Sequence, residues 1–158
     1  MRCFTLLLGV LVAASATGAA AQAPVYSWMG GSGDGNISLS YGSPETAEDQ
    51  LFWIVCRNNE KKTEMVVYVD MTGVKVGQPV AIELSSGATK TVVNGKAATD
   101  EMSGFIFAKA EKFPIKPVID LFASKGIVTV KTGPVVTKLP DTGRGPEIAS
   151  FAKACKLN

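Results

Sequence analysis

The chain has 158 residues, of which 16 are Lys or Arg, 14 are Asp or Glu, and none is His. This near balance of charge does not favour a nucleic-acid-binding protein, which normally carries a clustered basic excess. The absence of histidine excludes Ser-His-Asp and Cys-His catalysis and histidine-bound zinc. We therefore expect neither a cofactor nor a bound metal.

The first 21 residues have the layout of a cleavable secretory signal peptide. Arg2 precedes an apolar stretch over residues 4–14, which is too short for a bilayer core that takes about 20 apolar residues. Ala19-Ala20-Ala21 supplies the small residues of a cleavage site, so we expect the mature chain to begin at Gln22. Removing 21 of the 158 residues leaves 137, enough for one periplasmic or secreted domain without a membrane span.

Residues 22–36 are predicted to be a flexible lead segment, and residues 37–158 a single β-rich domain. The lead segment contains GGSGDGN at positions 30–36, which lacks the spacing of a phosphate-binding loop and is typical of a linker or hairpin turn. Tyr26 and Trp28 precede this run, outside any predicted strand. Aromatic residues outside a core can mark an interface or can cover the end of a sheet.

Alternating and continuous apolar runs predict eight short strands. Ile37, Leu39 and Tyr41 alternate with serines, whereas residues 51–56 are apolar on both faces, which is typical of a central strand. The remaining predicted strands cover residues 65–69, 80–84, 89–93, 104–108, 127–131 and 134–139. Short strands at regular spacing favour an antiparallel β-sandwich or a strongly curved sheet.

Two short helices are predicted, over residues 114–124 and 146–156. The first has Val118, Leu121 and Phe122 at helical spacing. In the second, one apolar stripe ends at Cys155. The fold class is therefore α+β.

Cys56 and Cys155 are the two cysteines of the expected mature chain. An even pair in an exported protein favours a disulfide. Because Cys56 is in phase with Phe52 and Ile54, the bridge would link the C-terminal helix to the central strand. It would close a loop of about 100 residues, for which chain entropy suggests up to ~4.7 kcal/mol of stabilisation.

The stretch from Asp141 to Glu147 places Arg144 between two glycines. Such a loop can carry binding residues on a rigid scaffold. It can also simply lead into a helix, since Pro146 suits a first helical turn. Together with Tyr26 and Trp28, Asp141 and Arg144 are our candidates for a binding surface.

Carboxylate or serine catalysis remains possible without histidine. The acidic residues are scattered along the chain, as is typical of solvated charges; examples are Glu45, Glu48, Asp49, Asp70 and Glu83. Ser150-x-x-Lys153 and Lys131-Thr132-Gly133 match two of the three motifs of penicillin-binding enzymes, but the Ser-Asp-Asn motif is missing. A helix face and a hairpin turn account for both matches.

Two segments resemble the invasion-associated locus B-type small periplasmic proteins of Gram-negative bacteria. They are Trp53-Ile54-Val55-Cys56 and Phe151-Ala152-Lys153-Ala154-Cys155. The resemblance is limited to these segments, and the further cysteines that usually follow the first one in that family are missing here. It implies a β-rich, non-enzymatic envelope protein.

We therefore expect an exported, non-catalytic periplasmic or envelope protein that binds a protein or an envelope component. One alternative is a histidine-free hydrolase that uses carboxylates or a serine. Another is a carrier of a lipid or small molecule, which would need an apolar pocket.

Overall fold

A computed structural model describes residues 25–46, 49–71 and 73–156. The predicted signal peptide and its cleavage before Gln22 lie outside the described residues. The elements follow in the order β1 (Ser27–Gly33), β2 (Asn36–Gly42), β3 (Gln50–Arg57), β4 (Lys62–Val67), β5 (Pro79–Ser86), β6 (Thr89–Thr99), β7 (Ile106–Glu111), α1 (Ile115–Ala123), β8 (Val128–Thr132), β9 (Val135–Leu139) and α2 (Arg144–Ala154).

The strands form one antiparallel sheet in the order β1-β2-β3-β4-β7-β6-β5-β8-β9. The sheet curls into a half-barrel, and both helices pack on its concave face. This confirms the predicted α+β fold with two short helices, in its curved-sheet form. The strand boundaries differ most in β6, which continues past the predicted end at Val93 to Thr99.

Strand β3 shows why a continuous apolar run predicts a central strand. Phe52, Ile54 and Cys56 are at most 2% exposed and face the helices. On the outer face Val55 is also only 2% exposed, because it lies opposite Glu64, whose carboxylate pairs with Arg57 at 3.2 Å. The long charged side chains thus cover the outer face without a second layer of structure.

The two helices fill the concave side of the sheet. On α1, the Phe122 ring stacks on Phe52 with centroids 5.0 Å apart and meets the Trp28 ring edge-on at 5.8 Å. On α2, Ile148 and Phe151 are buried in the same core. These contacts remove the large apolar side chains of both helices from water. Each fully buried side chain contributes roughly 1.5–3 kcal/mol to the stability of the fold.

The predicted disulfide is confirmed. Cys56 in β3 is bonded to Cys155, which lies 99 positions later in the sequence, and their Cα atoms are 5.6 Å apart. Helix α2 begins at Arg144, before the predicted start at Pro146, and ends at Ala154. Cys155 therefore lies directly after the helix rather than within it.

Residues 27–33 form a regular strand, so the expectation of a flexible lead segment up to residue 36 is wrong for this part. Asp34 and Gly35 make a two-residue turn with φ of 50° and 78°, the left-handed pair that suits a tight β-hairpin. A Cβ atom on Gly30 would collide with the carboxylate of Glu147 on α2. The glycines therefore permit a tight turn and a close helix contact.

Candidate functional site

Arg144 is not an exposed loop residue, which corrects the expectation from the sequence. It is 1% exposed at the start of α2, and its guanidinium donates hydrogen bonds to four carbonyl oxygens. The acceptors are Phe122 at 2.8 Å, Ser124 at 2.7 Å, Gly126 at 2.8 Å and Pro140 at 3.3 Å. Burial lowers the pKa of Arg144, and the charge of Asp141 opposes that shift.

Trp28 and Asp141 meet Arg144 in the same junction. The Trp28 indole is 7% exposed, donates to the Pro140 carbonyl at 2.8 Å, and lies 5.8 Å from the Arg144 guanidinium carbon. The Asp141 carboxylate accepts the Gly126 N–H at 2.8 Å. We call these residues the Arg144 cluster: Trp28, Pro140, Asp141 and Arg144. Its donors are directed at backbone carbonyls, so the cluster joins elements of the fold.

Tyr26, the fourth candidate, lies apart from this cluster at a surface groove. Its ring is 6.0 Å from that of Tyr41. The groove encloses about 620 Å³. We call it the Tyr68 groove, and its lining residues are Tyr26, Asp49, Gln50, Leu51, Tyr68, Asp100, Met102, Ser103 and Phe105. Among the described residues, two carboxylates and no Lys or Arg line it.

The β6–β7 loop forms one wall of the groove. The Asp100 carboxylate accepts hydrogen bonds from the N–H groups of Met102 and Ser103 and from the Ser103 hydroxyl, at 2.8–3.0 Å. The bonds from Ser103 lower the pKa of Asp100. These bonds brace the backbone of the loop that carries Met102, which is 98% exposed, and Phe105, which is 39% exposed.

Tyr68 forms the base of the groove. Its ring lies 5.3 Å from that of Phe107, and its N–H donates to the Leu51 carbonyl at 3.0 Å. Burial, followed by the negative charge of Asp100, raises the pKa of the Tyr68 hydroxyl. The hydroxyl therefore stays protonated near neutral pH and can donate a hydrogen bond.

The two motif fragments considered for serine catalysis are not gathered into one site, and Glu48, one of the acidic candidates, lies outside the described residues. Lys131 pairs with Glu83 at 3.3 Å on the outer face of the sheet. Ser150 and Lys153 are exposed on α2, which packs on the concave face. The sheet therefore separates the two motif fragments.

The sequence pointed to Tyr26 but not to the other groove residues. Leu51 and Tyr68 lie within the predicted strands 51–56 and 65–69 and resemble core positions in sequence. Met102 and Phe105 are apolar residues in the segment TDEMSGF at positions 99–105, whose other residues are polar or glycine. That contrast is a usable signal of an exposed apolar surface.

No protein-family profile, curated protein or solved structure matches this chain significantly. Neither helix in residues 25–46, 49–71 and 73–156 is long and apolar enough to cross a membrane. Within the same ranges, no group of three or more Cys, Asp or Glu side chains is placed to hold a metal ion. The function must therefore be inferred from the surface of the molecule.

Proposed function

We propose that this chain is an exported, non-catalytic binding protein of the periplasm or envelope, and that the Tyr68 groove binds a polypeptide. The bound segment would present an apolar side chain next to Lys or Arg. The observation that carries this proposal is the exposure of Met102 and Phe105 on a loop braced by Asp100.

The apolar side chains of the groove supply the driving force. Aromatic residues and Met are enriched in the cores of protein interfaces, where they provide most of the binding energy. Fully burying a side chain such as Met102 or Phe105 contributes roughly 1.5–3 kcal/mol. Because Asp100 already fixes the loop, binding costs little additional ordering of the chain.

The charges of the groove indicate the chemistry of the partner. Asp49 and Asp100 line it, and no Lys or Arg does so within the part of the chain that the structure describes. A Lys or Arg next to the inserted apolar side chain would meet these carboxylates, whereas an acidic partner would be repelled. Such complementarity contributes mainly to specificity and association rate.

The packing of the concave face favours a polypeptide over a lipid as the ligand. A lipid carrier would need a deep, largely enclosed apolar cavity. Here the rings of Phe52, Phe122 and Trp28 fill the space between sheet and helices. The Tyr68 groove lies outside this core, where an extended segment can reach it.

Selection from a phage-displayed library of random decapeptides tests the proposal. We expect enrichment of sequences that place Leu, Phe or Trp next to Lys or Arg. In solution, the selected peptides should bind at least about tenfold more weakly to Phe105→Ser. Asp49→Asn should reduce the preference of the groove for peptides with Lys over peptides with Glu. It should leave the hydrogen bonds of Asp100 intact.

Asp120→Asn is the matched control for the loss of one charge. Asp120 is exposed on α1 and pairs with Lys116 at 2.7 Å, away from the groove. This change should leave peptide binding unaltered. Failure to enrich any sequence, enrichment of acidic sequences, or equal binding to Phe105→Ser would refute the proposal.

A further inference from the structure

The Tyr68 groove lies at one end of strands β3, β4 and β7. Three chain segments meet at the opposite end of the same strands. They are the β3–β4 loop, the residues after β7, and the chain around Cys155. Together they line a cavity of about 1030 Å³, and its lining residues are Asn58, Glu60, Lys61, Lys62, Thr63, Lys112, Phe113, Pro114, Ile115 and Lys156. We call it the lysine cavity, because Lys61, Lys112 and Lys156 reach it from three different segments.

The buried Thr63 fixes the segment that follows β7. Its hydroxyl donates to the Phe113 carbonyl and accepts the Phe113 N–H, both at 2.9 Å. The Lys112 N–H also donates to the Thr63 carbonyl at 2.9 Å. These three bonds set the backbone of Lys112 beside the start of β4.

Asn58 fixes the third segment. Its side-chain amide donates to the Ala154 carbonyl at 2.9 Å, and its side-chain oxygen accepts the Lys156 N–H at 3.0 Å. The Cys56–Cys155 bridge joins the same two segments. The disulfide therefore holds Lys156 at the cavity as well as stabilising the fold.

Two of the lysines have an unfavourable backbone conformation. Lys61 and Lys112 have φ of 52° and 56°, in the left-handed region. This conformation is unfavourable for a non-glycine residue, and glycine would avoid most of that cost. Strained residues concentrate at functional sites. Lysine nevertheless occupies both positions, and both lysines line the same cavity. This favours a functional role for their two ammonium groups.

Among the described residues, three of the cavity's lysines form no ion pair. Lys62 is neutralised by Glu60 at 2.7 Å, and the neighbouring Glu111 is paired with Lys109 at 2.9 Å. For Lys61, Lys112 and Lys156, the described residues offer no carboxylate oxygen within 4.0 Å. The pKa of Glu111 is lowered mainly by Lys109, and the charges of Lys96 and then Lys112 add to this shift.

We propose that the lysine cavity binds a phosphate group, carried either by a small phosphorylated molecule or by a phospholipid headgroup. Lysine ammonium groups are common phosphate ligands, and three of them can neutralise a doubly charged phosphate. The site is separate from the Tyr68 groove and does not depend on the function proposed for it.

Binding of two probes to the oxidised protein tests this proposal. Pyrophosphate is titrated by calorimetry, and vesicles of phosphatidylglycerol in phosphatidylcholine are used in co-sedimentation, with pure phosphatidylcholine as the blank. We expect at least one probe to bind. Binding of pyrophosphate indicates a small phosphorylated ligand, and binding of the vesicles alone indicates a headgroup.

Matched variants locate the binding. Lys61→Asn and Lys112→Asn remove a charge but keep a residue that tolerates the left-handed region, and each should weaken binding at least about fivefold. Cys155→Ser, which releases Lys156, should also weaken it. Lys75→Asn, at an exposed loop lysine outside the cavity, is the control. Absence of binding by both probes, or an equal loss with Lys75→Asn, would overturn the proposal.

Discussion

The Arg144 cluster and the Tyr68 groove are built from the same kinds of residue, yet they have opposite surroundings. Arg144 is 1% exposed and its guanidinium bonds to four backbone carbonyls, whereas Met102 is 98% exposed beside aromatic rings and carboxylates. Aromatic and charged composition therefore does not separate a buried structural junction from an exposed groove. Burial and the presence of hydrogen-bond partners do.

The location of the Arg144 cluster explains its structural role. Phe122 and Ser124 lie at the C-terminal end of α1, where carbonyl groups lack helical partners and the helix dipole is negative. One cation satisfies these carbonyls and also contacts Gly126 before β8 and Pro140 after β9. The cluster therefore fixes the N-terminal end of α2, while Cys155 fixes its C-terminal end.

The largest expected effect comes from Arg144→Met. Each hydrogen bond to a charged group is worth roughly 1.5–3 kcal/mol, and the buried carbonyls would lose their donor. We expect a loss of about 4 kcal/mol or more in the free energy of unfolding, measured in urea. Arg57→Met is the control, because its partly exposed ion pair with Glu64 should contribute at most about 1 kcal/mol. Equal losses in the two variants would contradict the structural role of Arg144.

A smaller effect is expected at the other end of α2. Cys155→Ser opens the long loop closed by the disulfide, and we expect a loss of about 2–4 kcal/mol. Hydrogen exchange should rise first in the last turn of α2 and less near Arg144. Uniform loss of protection along α2 would show that the two ends are not fixed independently.

The sequence predicts those parts of the fold where apolar pattern decides the structure. Residues 51–56 form a central strand, and Val118, Leu121 and Phe122 lie on the buried face of α1, as expected. Strand β1 could not be predicted, because Gly30 and the glycines after it give no apolar alternation. Its position depends on pairing with β2 and on the approach of Glu147.

The candidate sites are less predictable, because they depend on distant contacts. A charged residue between two glycines has the sequence features of an exposed loop, and three of the four acceptors of Arg144 come from a segment about 20 residues earlier. Likewise, Lys61 and Lys112 become neighbours only when β4 and β7 pair. Only Tyr26 was identified at the groove from the sequence.

The most direct test of the proposed function compares Phe105→Ser with Trp28→Phe, in both unfolding free energy and binding of library-selected peptides. Phe105→Ser should change stability by about 0.5 kcal/mol or less, as expected for an exposed site, and reduce peptide affinity at least about tenfold. Trp28→Phe removes the hydrogen bond to Pro140, so it should cost about 1–2 kcal/mol of stability and leave affinity unchanged. Unchanged affinity in Phe105→Ser, or a large loss of affinity in Trp28→Phe, would contradict the assignment of recognition to the groove.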